Sequence, residues 1–283
     1  MSSVAVLFPW RPGNPARDRA YAWVAEGWRR CLPEYDQLTS ARLPDPSRLD
    51  VDGQWCKARH IDALVRATTA DVVIVSDVDV WPDPLSVRMS VRTVANGDRL
   101  WSVPYLTVYR LSEQASDQVR AGIWPVGRLT AGRGQLVERP YEGHPGGGVV
   151  VVPRQTLEDF PFDPRFIGWG HEDDAWSMVM HTIAGKPHRV RNGVLHLWHP
   201  PAPNRTRDVG RPESVILGDS YAQARTAARR GDRAPLLSLV DEARALLATR
   251  RSSGSPGTRE DADPVDDEQR GGAQALRNVA PVD

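Results

Sequence analysis

Asp71-Val-Val-Ile-Val-Ser-Asp-Val-Asp79 passes within a few residues from a wholly apolar run into a pair of carboxylates. Val72 to Val75 are all β-branched and uninterrupted by polar residues, the pattern of a strand buried on both faces. Asp77 and Asp79 then stand at its carboxyl end, where open α/β sheets bind their ligands. Carboxylates at i and i+2 can share one divalent ion and the diphosphate that the ion neutralises, and hard oxygen donors suit Mn²⁺ or Mg²⁺. An Asp-x-Asp triplet is equally at home in a solvated loop. Its place after so apolar a strand makes this one a candidate site.

Upstream, Val4-Ala-Val-Leu-Phe8 is a second buried strand. It is closed by Pro9-Trp-Arg-Pro-Gly13, after which Asn14 and Pro15 form a helix start. Tyr21, Val24, Ala25, Trp28 and Leu32 then recur on one helical face. A Pro- and Asp-rich connection (43–52) leads to a second helix with Ile61, Leu64, Val65 and Thr68 on one side. This alternation predicts a parallel sheet with helical crossovers. Residues 97–146 read as irregular strands and a mobile loop. Gly146-Gly-Gly148 precedes another buried strand, Val149 to Val152. A helix over 172–184 is stopped by Gly185 and Pro187. A strand over 193–197 and helices over 220–230 and 236–249 follow.

The fold class expected is α/β, with a domain over 1–203, a helical extension over 204–250 and a disordered tail over 251–283. The tail has four basic and seven acidic residues and almost no large apolar ones, too little to offset its ordering entropy. Over the whole chain of 283 residues, Lys+Arg and Asp+Glu both number 36. That balance argues against binding nucleic acid by phosphate neutralisation. Two cysteines are too few for a disulfide framework. With no basic, apolar leader and no apolar run of about 20 residues, a cytoplasmic protein without a membrane span is expected.

Two further constellations carry chemistry. Gly168-Trp-Gly-His-Glu-Asp-Asp174 opens the helix over 172–184. Acids in a first turn complement the helix dipole, but Glu172 is in register with Trp176, Val179, Met180 and Ile183. It therefore faces the apolar side, where a carboxylate needs a partner or a task. His196-Leu-Trp-His199 follows the strand over 193–197, and two imidazoles three residues apart can meet one metal.

Ser76-Asp-Val-Asp79, the Gly147-Gly148 strand, Gly168-Trp-Gly-x-Glu-Asp-Asp174 and the closing His196 to His199 occur in one order. In that order the chain resembles the β-1,4-galactosyltransferase type of GT-A glycosyltransferase, over about residues 4–202. Pro9-Trp10-Arg11 looks like that family's nucleotide contact, and Trp55-Cys-Lys57 looks like its uracil contact with Lys in place of Arg. The resemblance implies a GT-A fold with a mixed, Rossmann-like central sheet, and Asp79, His199 and His196 as ligands of Mn²⁺ or Mg²⁺. Asp77, Val78 and Gly148 would line the nucleotide-sugar site, with Trp169 over the sugar or acceptor. Asp173 would be the general base, and Glu172 would hold the acceptor or share that role. The expected donor is a UDP-sugar. The acceptor would be a hydroxyl of a glycan, glycolipid or protein. His171 stands where the family has Gly, and His196 where it has a Met ligand. A nucleotide-sugar hydrolase and a non-catalytic glycan-binding module remain alternatives.

Overall fold

A computed structural model describes residues 2–122, 135–138, 146–168, 170–200 and 218–253. The chain begins with β1 (Val4–Phe8), α1 (Pro15–Cys31), β2 (Asp36–Thr39) and α2 (Lys57–Arg66). It continues through β3 (Val72–Ser76), β4 (Val80–Pro82), α3 (Pro84–Ala95), β5 (Ser102–Val103), β6 (Thr107–Leu111) and α4 (Glu113–Arg120). Then come β7 (Gln135–Glu138), β8 (Val149–Pro153), α5 (Arg154–Asp159), α6 (Glu172–Ala184), β9 (His188–Arg189) and β10 (Gly193–His196). Two helices close it, α7 (Gly218–Arg230) and α8 (Arg233–Ser253).

Every residue of β1 and β3 is buried, as their unbroken apolar runs require. Among the described residues the larger sheet has the order β2-β1-β3-β8-β5-β9. Its β2-β1-β3 part is parallel, as the strand–helix alternation predicts. β8 then joins β3 antiparallel, with Ser76 opposite Val149. The central sheet is therefore mixed, and the glycines before β8 lie beside the carboxyl end of β3.

A second sheet, β4-β10-β6-β7, is not foreseen in the sequence. β10 pairs antiparallel with β4, placing His196 opposite Val80. Leu197 N donates to Asp79 O (2.8 Å), which fixes the end of β10 against the Asp77–Asp79 turn.

Helix α1 starts as read: the Asn14 side chain accepts from Ala16 N and Arg17 N, and Pro15 occupies the first turn. Val24 and Trp28 are fully buried, and Leu32 is nearly so. α2 ends at Arg66, so Thr68 lies beyond it rather than on its apolar face. Helix α3 is missed by periodicity, although Asp83-Pro84 is a cap signal. The Asp83 carboxylate accepts from Ser86 N (2.8 Å). Helix α4, capped by Ser112, falls inside the stretch expected to be irregular; residues 123–134 and 139–145 of the expected loop lie outside the described residues.

α6 spans 172–184 as expected, ending at Gly185 with φ of 83°. Trp176 anchors it: the ring stacks on Phe162 at 4.8 Å and meets Trp101 edge-on at 5.5 Å. Its Nε1 donates to Phe160 O (2.9 Å). α7 and α8 pack on the far side of α6 through Val179, Ala224, Ala227, Leu236 and Val240, and Arg165 bridges Asp163 to Glu242 of α8. The expected tail lies outside the described residues except for the end of α8.

Trp176 is 3% exposed and holds the helix that carries Glu172 and Asp173. Trp176→Ala should cost ~3–5 kcal/mol, the range for removing a buried indole. Urea denaturation read by circular dichroism measures it, and a loss under 1 kcal/mol would mean that the anchor lies elsewhere.

Candidate functional site: an acidic edge with a histidine pair

Three segments meet at the carboxyl end of β3: the turn Asp77–Asp79, the start of α6 and the end of β10. Asp79 is 2% exposed. Its Oδ2 accepts from Arg17 Nε at 3.1 Å and lies 3.3 Å from His199 Nε2. Burial alone would raise its pKa, but Arg17, His196 and His199 outweigh that and hold it at about 2.

Asp79, His196 and His199 each offer one ligand atom, all within 4.8 Å of one another. The hydrogen bonds select those atoms. His199 Nδ1 lies 2.8 Å from Pro200 O, and His196 Nδ1 lies 3.1 Å from Leu197 O. A carbonyl only accepts, so Nδ1 carries the proton in each ring and Nε2 is bare in the neutral imidazole. A bare Nε2 facing a carboxylate at 3.3 Å would set two acceptors against each other. That pairing needs a cation, either a proton on Nε2 or a metal ion. Burial lowers the His196 pKa, favouring the neutral, ligating form. The donor set fits a divalent ion such as Mn²⁺, with Asp79 and the two imidazoles as its holders.

Asp77, on the same turn, has different partners. Its Oδ2 accepts from Gly148 N (3.2 Å) while its own N donates to Gly148 O (2.8 Å). Gly148 has φ of 77°, and a Cβ there would come within 3.0 Å of the Tyr105 hydroxyl, which donates to Gly147 O. At Gly146 a Cβ would meet Asp173 O at 2.2 Å. The glycine run thus lets the backbone pass between the Asp77 turn and α6. Val78 is buried.

At the start of α6, Glu172 is 8% exposed and its Oε2 accepts from Gly170 N (3.0 Å). Burial raises its pKa, with Lys57 opposing. The apolar register read from sequence is the one observed. His171 has φ of 64°, a left-handed conformation that suits glycine, the residue the resemblance expects there. Trp169 lies outside the described residues.

Lys57, expected at the uracil, has its Nζ 2.9 Å from Asp77 and 2.8 Å from Asp173. Its desolvation is overcome by Asp173, Asp77 and Glu172, so its pKa rises well above the ordinary value. Burial pushes Asp173 well up, against Lys57 and together with Glu172 and Asp77.

On the β1 side, Pro9 is buried, and Trp10 lies against Tyr21 with centroids 4.0 Å apart. Trp55 covers His60 at 4.0 Å. His60 in turn contacts Ser40 Oγ (2.8 Å) and Asp50 (3.2 Å). Arg11 Nη1 donates to Asp50 (2.6 Å) and Gly53 O (2.9 Å), bracing the 50–54 turn. Gly168 N donates to Trp55 O (2.7 Å), tying the segment before α6 to this wall. Sequence reasoning missed Arg17, whose only signal is its place in the first turn after the Pro-Trp-Arg loop.

No protein-family model matches the chain, and no curated protein matches it. Similar solved structures include glucosyl-3-phosphoglycerate synthase from Mycobacterium tuberculosis in complex with Mn²⁺, UDP and glucosyl-3-phosphoglycerate. That match has 15% identity over 85% of this chain and 80% of that chain, with a TM-score of 0.39. The same enzyme with Mg²⁺ and UDP matches at 16% identity, the same coverage and a TM-score of 0.40. Among the described residues no helix is long and apolar enough to cross a membrane.

Mn²⁺ at about 100 times its Kd should add ~2.7 kcal/mol to stability, a rise of several degrees in Tm. Asp79→Ala and His199→Ala should abolish the rise. It should persist from pH 8 to about 6 and fade by pH 5, because protonated imidazoles cannot ligate. Thermal melts across that range check both points. A rise retained in either variant would remove that residue from the metal site.

Proposed function

We propose that the chain is a GT-A glycosyltransferase of the β-1,4-galactosyltransferase kind. In this reading it moves a hexose of the galactose or N-acetylhexosamine type from a UDP-sugar to an acceptor hydroxyl with inversion. The observation that carries the proposal is the Asp79–His196–His199 triad, in which the His199 Nε2 facing Asp79 needs a cation, at a sheet edge that also holds Asp77, Glu172 and Asp173. A triad of this kind binds a hard or borderline divalent ion and leaves coordination positions open for a diphosphate.

Asp79, His196 and His199 would hold Mn²⁺ or Mg²⁺. The ion would supply charge neutralisation for the departing nucleoside diphosphate. Arg17 brings a permanent positive charge to the same place, and its two terminal nitrogens make no hydrogen bond among the described residues, so they are free to donate to phosphate oxygens. Trp10 and Trp55 supply flat apolar walls for the base. Arg11 keeps donors beyond those spent on Asp50 and Gly53 O. Asp77 and the Gly148 backbone border the sugar side.

Asp173 takes the proton of the acceptor hydroxyl as that oxygen attacks the anomeric carbon. Glu172 is fixed by Gly170 N and faces about 100° away from Asp173 around the helix, which suits it to hold a second acceptor hydroxyl. The acceptor is a small hydroxyl compound or a hydroxyl of a glycan, glycolipid or protein. A hydrolase reading rests on the same triad, since the same ligands can activate water.

The test is a panel of UDP-galactose, UDP-glucose, UDP-N-acetylglucosamine and UDP-N-acetylgalactosamine with Mn²⁺ and candidate acceptors. UDP release should require both metal and acceptor; equal release without acceptor would assign a hydrolase. Asp173→Asn should lower kcat by ~10²–10⁴-fold while donor Kd barely moves. Glu172→Gln should raise acceptor KM more than it lowers kcat, and the reverse pattern would exchange the two roles.

A further inference from the structure

Lys57 stands at the first position of α2, yet its side chain is only 9% exposed. Its ammonium lies 2.8 and 3.0 Å from the two oxygens of Asp173 and 2.9 Å from Asp77 Oδ1. Two hydrogen bonds go to the Asp173 carboxylate and an ion pair reaches Asp77, so one ammonium serves two carboxylates. The chain has only two lysines, Lys57 and Lys186, among 36 basic residues, the rest being arginine. A guanidinium is a broad planar fork, whereas an ammonium is a compact charge that fits between converging carboxylates.

The groups facing Asp173 come from three elements. Lys57 approaches from α2, Asp77 from the turn after β3, and Glu172 from α6 itself. Burial favours the protonated acid, and the two neighbouring carboxylates act in the same sense. Lys57 alone opposes them. It also touches both the turn carrying Asp79 and the start of α6.

We propose that Lys57 is a positioning residue: it favours the charged form of Asp173, aims that carboxylate and ties it to the Asp77–Asp79 turn, so that one buried cation sets the donor and acceptor halves together. The proposal rests on the role of Asp173 given above. A merely structural lysine would also lower the Asp173 midpoint by its charge, so the acid limb of kcat/KM is the readout that separates the two roles.

The experiment titrates Asp173 by carbon-13 NMR of the full chain labelled at aspartate, with its signal identified by its loss in Asp173→Asn. In Lys57→Met the midpoint should rise by ~1–3 pH units, the span of an adjacent opposite charge. Lys57→Arg, which keeps the charge, should shift it by less than half as much. An unmoved midpoint in Lys57→Met, or an equal rise in both variants, overturns the proposal. Lys57→Met unfolded at pH 7 but folded at pH 5, where the carboxylates can take up protons, supports it; unfolded at both, it overturns it. Because the titration needs no turnover, a failure of Lys57 is distinguishable from a failure of the glycosyltransferase reading, which only the UDP-sugar panel can sink. Where turnover is found, the acid limb of kcat/KM should move with the NMR midpoint.

Discussion

A strand buried on both faces cannot end in two carboxylates unless something neutralises them. The region around the carboxyl end of β3 is organised by that constraint. Asp79, fully enclosed, is met by Arg17 from the first turn of α1 and by the histidines of the β10 end. Asp77 is met by Gly148 N and by Lys57. Lys57 in turn reaches Asp173, so α1, α2, α6, β10 and the glycine run are all drawn to one edge of the sheet. The fold places them there because β1 and β3 are parallel neighbours, which brings the loops after them to the same edge.

The elements legible in the sequence are those whose stability is mostly local. Asn14-Pro15 and the spacing of Val24, Ala25 and Trp28 specify α1. Val72 to Val75 specify β3, and Gly185-Lys186-Pro187 ends α6. The grouping of Asp79 with His196 and His199 was also legible, because each sits at the end of a readable strand. What stayed hidden depends on long-range pairing. The Arg17–Asp79 contact spans 62 positions and the Lys57–Asp173 contact 116. No periodicity reports such distances. The second sheet was hidden for a similar reason: β4 is three residues long and is specified by its pairing with β10, not by its own pattern. Helix α3 differs, since Asp83-Pro84 announces it and only its weak apolar stripe conceals it.

The two histidines show how backbone geometry selects side-chain chemistry. Antiparallel pairing sets His196 opposite Val80, and the chain then turns so that His199 returns to Asp79. Both rings spend Nδ1 on a carbonyl one residue further along the chain. A local, sequence-adjacent contact thereby fixes which nitrogen faces the carboxylate, and it does so for both rings alike. An imidazole pair placed by strand register alone would be free to present either nitrogen.

Charge counting at this edge leads one step further. Asp77, Asp79, Glu172 and Asp173 are four carboxylates, faced by the permanent cations Arg17, Lys57 and, beside His196, Arg110. With the imidazoles neutral, negative charge is left over. Protons can meet that deficit, and burial drives Glu172 and Asp173 in that direction. A divalent cation at the triad meets it equally. The two remedies compete: each proton taken up on the acceptor side lowers the demand for the metal, and a bound metal lowers the demand for protons. A base in such a site is most available once the metal is in place. Electrostatics would thus couple the readiness of Asp173 to the occupancy of the Asp79 side, with Lys57 as the group common to both.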